Sequence, residues 1–216
     1  MSKKVIKNKV SDGIGDRLDL HQYHKIRGDM LYWRIDNFIR AIKEEKVEGS
    51  ILPFVRGLRF SSQLIYAIRE LISGRGLEVD WGHLLDKDGK YCSRECDIII
   101  HRSGYHARWN GNEKPIMDFR FVRQDNALVV ISCKSYIKSG SVDKQYVPCL
   151  KPFVKKVWLF AECCESRHTD SVANQAQNAG YDNFWYLYKW EREKASQEPN
   201  ESGWMEFVKK LRRLKA

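Results

Sequence analysis

Long apolar runs are missing from this 216-residue chain, and their absence removes whole classes of protein from consideration. No stretch approaches the roughly 18 uncharged apolar residues that a membrane-spanning helix needs. The basic N-terminal residues are not followed by the apolar segment of a secretory signal. We therefore expect a cytoplasmic protein without a membrane partner.

A disulfide or zinc framework is also missing. The six cysteines lack the dense, short spacing of small secreted domains, so reduced thiols fit best. Neither Cys92 with Cys96 nor the adjacent Cys163 and Cys164 has the paired two-residue gap of common zinc sites, and the histidines show no ligand spacing. A zinc centre and a cysteine nucleophile at Cys133 are the less favoured alternatives.

What the chain does have is positive charge, with a net charge of +10 that is concentrated at its two ends. Residues 1–9 contain lysines and no acid, and residues 204–216 are similarly basic. The middle is nearly balanced, except for a locally basic segment with Lys138, Lys144, Lys151 and Lys155. Such a basic segment predicts contacts to nucleic-acid phosphates. The charged ends are less informative, because charged ends are solubilising tails as often as they are binding arms.

Hydrophobic periodicity predicts the order of the elements. Apolar residues at helical spacing predict amphipathic helices at residues 20–45 and 59–73, separated by Gly49 and Pro53. A hairpin turn is predicted at residues 86–90 and a surface loop at residues 103–114. Strands are predicted at residues 77–85, 95–100, 116–122 (an edge strand), 127–134, 156–161 and 183–188, and further helices at residues 142–150, 169–179 and 204–214. An antiparallel pair followed by alternating strands and helices predicts an α/β fold, with a mixed central sheet flanked by helices.

Two of these predicted strands carry a charge at one end. Asp97 opens the run Ile-Ile-Ile, and Lys134 closes the run Ala-Leu-Val-Val-Ile-Ser-Cys-Lys. A charge near a core needs a partner or a task. In the ordinary interpretation Asp97 pairs with Arg94 and Lys134 extends into water. The other interpretation is a metal-dependent phosphodiesterase, because an acid on one strand and Ser-x-Lys on the next suit that chemistry.

This arrangement resembles the PD-(D/E)xK nuclease superfamily. The resemblance covers roughly residues 56–190, including a Gly-containing turn and a serine ahead of the Asp97 strand, and it implies a restriction-endonuclease-like core. By position, Asp97 would bind Mg²⁺, or Mn²⁺, together with the backbone carbonyl of Cys133. Lys134 would orient or deprotonate the attacking water, or stabilise negative charge. Ser132 stands where the superfamily has Glu or Asp.

The resemblance also implies that another acid replaces the carboxylate missing at Ser132. Glu70 is the first choice for this catalytic and metal-binding role, since the superfamily often places an accessory glutamate on the corresponding helix. Asp143 and Glu162 are the alternatives.

The sequence therefore predicts three segments. Residues 1–55 form a basic arm and an N-terminal helical extension, residues 56–190 form the nuclease-like core, and residues 191–216 form a polar linker and a basic C-terminal helix. The expected function is a Mg²⁺-dependent DNA endonuclease of restriction or anti-phage defence, acting as a homodimer or within a larger defence complex. The alternative is a nuclease-like domain that lost its acid and binds nucleic acid or a partner protein.

Overall fold

The structure is a computed structural model that describes residues 51–104, 106–108, 119–191 and 196–216. The basic arm and the helix predicted at residues 20–45 lie outside these residues. Within them, no helix combines the length and the apolar character needed to cross a membrane.

In the residues that the structure describes, eight strands form one mixed sheet in the order β3-β4-β1-β2-β5-β6-β7-β8. The strands are β1 (Leu77–Leu85), β2 (Cys96–Arg102), β3 (His106–Arg108), β4 (Phe119–Arg123), β5 (Ala127–Ile137), β6 (Val157–Glu165), β7 (Asn183–Glu191) and β8 (Ser196–Pro199). The pairs β1/β4, β5/β6 and β6/β7 are parallel, and the other neighbours are antiparallel. The predicted α/β fold with a mixed central sheet is confirmed.

Helices cover both faces of this sheet. They are α1 (Ile51–Ile72), α2 (Tyr146–Leu150), α3 (Thr169–Asn178) and α4 (Glu201–Arg212), with a 3₁₀ turn at Ser166–His168. Helices α1 and α4 pack on one face, where the rings of Phe160 and Phe207 are 4.5 Å apart. Helices α2 and α3 pack on the other face, against Ile99 and Leu159. Two covered faces explain why the central strands are apolar runs rather than alternating patterns.

Helix α1 begins eight residues earlier than the predicted helix and contains Pro53, which was expected to separate two helices. Pro53 lies in the first described turn of the helix, and its ring fixes φ near the helical value. The proline therefore does not end the helix.

The two ends of the sheet also differ from the prediction. Strand β3 lies within the predicted loop, and it makes β4 an interior strand rather than an edge. At the other end, the segment predicted as a polar linker contains β8, which pairs with β7. The residues of β8, Ser-Gln-Glu-Pro, lack an apolar alternation, so their pairing through the backbone leaves no pattern in the sequence.

Strand β1 passes unusually close to β4 at Gly82. A Cβ atom there would lie 1.8 Å from the Arg120 carbonyl oxygen, and the glycine has φ +155°. The β1/β2 register also shifts between Asp80 and Gly82. Only glycine permits this approach. The backbones of β1 and β4 are therefore in close contact, and β1 lies next to the strand that carries Asp97.

Candidate active site

Asp97 and the Ser-Cys-Lys tripeptide meet where β2 and β5 stop pairing. The register pairs Ile98 with Ile131, and beyond that point the Asp97 side chain replaces the backbone as acceptor. Its Oδ2 atom accepts a hydrogen bond of 2.7 Å from the Cys133 backbone N–H. The N–H and C=O groups of a strand residue point to the same neighbouring strand, so the Cys133 carbonyl also faces the Asp97 end of β2.

The charge of Asp97 is only partly compensated. Burial raises the pKa of its carboxyl group, and the Cys133 N–H and the positive charge of Lys134 offset part of that effect. The negative charge of Glu95, whose carboxylate accepts a 2.7 Å hydrogen bond from Trp81 Nε1, raises the pKa further. A desolvated carboxylate of this kind is stabilised by an added cation.

Ser132 is completely buried. Within the described part of the chain, its Oγ atom makes no hydrogen bond of ordinary geometry. The hydroxyl group of Tyr181 approaches it: burial raises the pKa of Tyr181, and an interaction with the Ser132 side chain lowers it in part. A buried hydroxyl without a good partner is uncommon in proteins, which makes this position a candidate for contact with a ligand.

Asp143 lies beside the same group. The Tyr181 hydroxyl is 3.5 Å from the Asp143 backbone oxygen, and the negative charges of Asp143 and Asp97 both raise the Tyr181 pKa. Arg94 Nη1 is 3.5 Å from Asp143 Oδ2, so Arg94 contacts this acid and not Asp97 as the ordinary interpretation expected. The Arg94 guanidinium also lies over the ring of Tyr146, 5.6 Å from its centroid.

Glu70, the first choice from the sequence, is exposed on α1 and is not brought to Asp97. Its neighbour Arg69 donates to the Val79 carbonyl, at the far end of β1. On α1 the Ser61 side chain lies beside the Cys133 thiol, where it partly lowers the pKa that burial raises. Ser61 and Glu70 are nine positions apart, or about 13 Å along a helix axis.

Glu162 is also engaged elsewhere. Its Oε1 atom accepts a hydrogen bond of 2.8 Å from Arg59 Nη2 on α1, and both side chains are largely buried. Because Lys134 pairs with Ala161, and side chains alternate along β6, Glu162 points to the opposite face of the sheet from Ala161. Of the three candidate acids, Asp143 is therefore the one on the Ser132 face of the sheet, with its backbone oxygen linked to Ser132 through the Tyr181 hydroxyl.

The residues present fit a hard divalent cation. Such ions take oxygen ligands and usually keep several waters, so a site needs only one or two carboxylates. One oxygen of Asp97, the Cys133 carbonyl and the buried Ser132 hydroxyl supply oxygen donors in one place. Lys134 is partly exposed next to them, as a cation that would face the substrate.

The cysteine alternatives find no support in the geometry. All six cysteines are free, and in the described residues they form no group with metal-ligand spacing. Burial raises the pKa of the Cys133 thiol well above its usual value. A thiol that resists ionisation is a poor nucleophile.

A second acidic group, formed by Glu78, Asp80 and His101, has ligand atoms within 4.8 Å of one another. The negative charge of Asp80 in this group is already compensated by cationic side chains. Asp80 Oδ2 is 2.8 Å from His101 Nε2, and Asp80 Oδ1 is 3.3 Å from Arg69 Nη2 and 3.7 Å from Arg120 Nε. Burial raises the pKa of Asp80, but the hydrogen bond and charge of His101, with the two arginines, lower it overall. We interpret this group as a structural ion network.

The four predicted DNA-binding lysines, Lys138, Lys144, Lys151 and Lys155, are all exposed. They flank α2, which packs on the face that also carries Leu159, the partner of Ser132. Lys151 is partly neutralised, because its Nζ atom lies 3.1 Å from Asp182 Oδ2. The basic helix α4 packs on the opposite face.

Tyr181, Tyr146 and Arg94 were not predicted as members of this site. Tyr181 follows α3 and stacks on Tyr146 with ring centroids 6.4 Å apart. Nothing in the spacing of these residues points to Ser132, since the parallel β5-β6-β7 crossovers bring them together. The only signal was that Arg94 is a cation close to the Asp97 strand.

Three solved structures of NucC share this fold. NucC of P. aeruginosa ATCC27853 in its cAAA-bound form has a TM-score of 0.53 and 12% identity, covering 84% of this chain and 88% of that chain. NucC of E. coli MS115-1 has a TM-score of 0.52 in its apo form, with 11% identity over 82% and 89% of the two chains. Its cAAA-bound form has a TM-score of 0.50 and 10% identity over 84% and 88%.

The chain matches no protein-family model and no curated protein sequence. The likeness to NucC extends over most of both chains, and it shows a common fold. At this level of identity the likeness concerns the fold, and function must be argued from the site.

Proposed function

We propose that this protein is a divalent-metal-dependent DNA endonuclease, whose site consists of Asp97, Ser132, Cys133 and Lys134. The observation that carries the proposal is the 2.7 Å hydrogen bond from the Cys133 N–H to Asp97, which joins the two segments that resemble the superfamily motifs. The nuclease-like fold shared with NucC supports it.

Each residue has a role that follows from its chemistry. An Asp97 oxygen and the Cys133 carbonyl would hold Mg²⁺ or Mn²⁺. The ion would supply charge neutralisation and a more acidic water. The Lys134 ammonium group orients the attacking water or stabilises the negative charge that develops on the phosphate. Ser132 contributes a neutral oxygen where the superfamily has a carboxylate.

Plasmid cleavage tests this function. The wild type should cut in Mg²⁺ or Mn²⁺ and lose its activity with EDTA. Asp97→Asn and Lys134→Ala should each reduce the rate on the order of 10²-fold or more. Asp125→Asn and Lys209→Ala, which change exposed charges away from the site, are the controls. Because two of the similar NucC structures contain cAAA, each reaction is run with and without cAAA. Equal cleavage by wild type and Asp97→Asn would refute the assignment.

The lysines that flank α2 are proposed to contact the DNA backbone. Lys144→Ala/Lys155→Ala should weaken DNA binding and reduce the dependence of affinity on salt by about two phosphate contacts. Lys209→Ala/Lys210→Ala removes the same charge from α4, on the other face of the sheet, and serves as the matched control. If the two double variants lose affinity equally, the effect is one of net charge and not of a defined surface.

The second candidate is a nucleic-acid or protein-binding module without catalysis. The observation in its favour is Ser132, because a neutral hydroxyl replaces one negative charge at the proposed metal site. DNA binding by the wild type, without cleavage in Mg²⁺ or Mn²⁺ and with or without cAAA, would select this function.

We further propose a role in anti-phage defence and a homodimeric assembly, since cutting both DNA strands requires two sites. Light scattering measures the mass of the particle in the presence and absence of cAAA. A monomer under all conditions in which the protein cuts both strands would contradict the assembly.

A further inference from the structure

The proposed metal site has a shortage of negative charge. Asp97 is its one strand-borne carboxylate, and Ser132 is a buried, poorly bonded hydroxyl. Divalent cations in proteins are usually held by carboxylates together with neutral oxygens and water. A second acid near Ser132 would complete such a set.

Asp143 meets this requirement in position. It precedes α2, on the same face of the sheet as Tyr181, and the Tyr181 hydroxyl spans the space between the Asp143 backbone and Ser132. Glu70 and Glu162 do not meet the requirement, because one is remote along α1 and the other is paired with Arg59 across the sheet.

Both carboxylate oxygens of Asp143 have a partner, and the partner of Oδ2 is the more weakly held. Its Oδ1 atom accepts a hydrogen bond of 2.9 Å from the Gln145 backbone N–H, which orders the turn before α2. Its Oδ2 atom faces Arg94 at 3.5 Å, a long ion-pair distance. The Arg94 side chain is half exposed, so it can turn into water at little cost.

From this geometry we infer that Asp143 Oδ2 is the second acidic ligand of the divalent ion, and that Arg94 competes with the ion for it. The inference rests on the proposed metal-dependent function. In the absence of metal, Arg94 neutralises Asp143. With the ion bound, the Asp143 carboxylate would turn towards Ser132 and Asp97, and Arg94 would be released to the surface to meet the negatively charged substrate.

Direct metal binding tests the inference without relying on cleavage. Mn²⁺ binding is measured by calorimetry, and Tb³⁺ binding by luminescence sensitised through the nearby Tyr181 and Tyr146. Asp143→Asn keeps an acceptor for the Gln145 N–H and removes only the charge. We expect it to weaken metal binding on the order of tenfold or more, and we expect the same of Asp97→Asn.

The other variants distinguish the role of Asp143 as a metal ligand from the role of Arg94 as a competitor of the metal ion. Arg94→Gln should tighten metal binding, because the ion no longer displaces a guanidinium group. Glu70→Gln and Asp125→Asn should bind metal like the wild type, which excludes a general effect of surface charge. Circular dichroism and thermal unfolding establish that each variant is folded.

The outcomes distinguish this inference from the proposed function. If Asp97→Asn weakens metal binding and a folded Asp143→Asn does not, the metal site stands and the role of Asp143 is overturned. Unchanged binding in Arg94→Gln overturns the competition. If neither aspartate variant changes metal affinity, the ion binds elsewhere and both proposals fail.

Discussion

Asp80 is a buried acid and Asp97 a partly exposed one on the neighbouring strand of the same sheet, and their surroundings are opposite in character. Asp80 faces His101, Arg69 and Arg120, which together lower its pKa. Asp97 has a backbone N–H and the more distant Lys134, and burial raises its pKa. The first carboxylate is saturated with positive charge, and the second is not.

This difference separates a structural acid from a functional one. A buried charge that is fully paired holds elements together, and breaking the pair is costly. A buried charge that lacks compensation lowers the stability of the fold and is kept where it binds something. Proximity of acids alone would have selected the Asp80 group, whose ligand atoms cluster within 4.8 Å. The lack of charge compensation points instead to Asp97.

The largest expected effect comes from neutralising each acid in turn. Asp80→Asn removes the counter-charge that faces His101 and two arginines, and it should lower the free energy of unfolding by about 3–5 kcal/mol. Asp97→Asn can still accept the Cys133 hydrogen bond, so it should change that free energy by less than about 1 kcal/mol. Urea unfolding of both variants measures the difference. Similar losses would remove the distinction between the two acids.

Two buried serines repeat the comparison on a smaller scale. Ser93 Oγ accepts a 2.8 Å hydrogen bond from the Leu84 N–H and donates a 2.7 Å hydrogen bond to the Arg94 carbonyl. Ser93→Ala should therefore cost about 1–3 kcal/mol, because it leaves the buried amide without a partner. Ser132→Ala, at a poorly bonded hydroxyl, should be neutral or slightly stabilising in thermal unfolding. A large loss in Ser132→Ala would mean that its hydroxyl already has a strong partner.

The smallest and most selective effect is the pH dependence of stability. The folded-state pKa of Asp80 is lowered, so its contribution to stability is complete above the ordinary aspartate pKa of 3.8 and is lost as the pH falls below that value towards the folded-state pKa. The folded-state pKa of Asp97 is raised, so ionisation of Asp97 opposes folding, and this penalty disappears as the pH falls through a window above 3.8.

Unfolding free energies measured from about pH 3 to about pH 7 test these signs. The advantage of the wild type over Asp80→Asn should shrink at the acid end. Relative to the wild type, Asp97→Asn should be at its most favourable at neutral pH, and that benefit should fade as the pH is lowered. If the stability of both variants relative to the wild type changed with pH in the same direction, the two acids would not have oppositely shifted pKa values.

Much of the fold was predictable because it is encoded locally. The strand at residues 77–85, the hairpin at residues 86–90 and the helix after position 169 agree with the structure, since periodicity and turn residues act over a few positions. The start of α1 and the short strands β3 and β8 were missed. The two strands carry no apolar pattern, and backbone pairing with β4 and β7 stabilises them. Residues 51–58 are apolar, but Pro53 was taken to end a helix there.

The site residues also fall into those that the sequence predicted and those that only the tertiary structure brought together. The charges at the ends of two apolar strands were enough to single out Asp97 and Lys134, because an unpaired charge next to a core is costly wherever the chain goes. The separation of Glu70 from Asp97, the pairing of Asp143 with Arg94 and the approach of Tyr181 to Ser132 depended on the assembled sheet. Helix length and strand crossovers set those distances between residues far apart in the chain, and no local rule describes them.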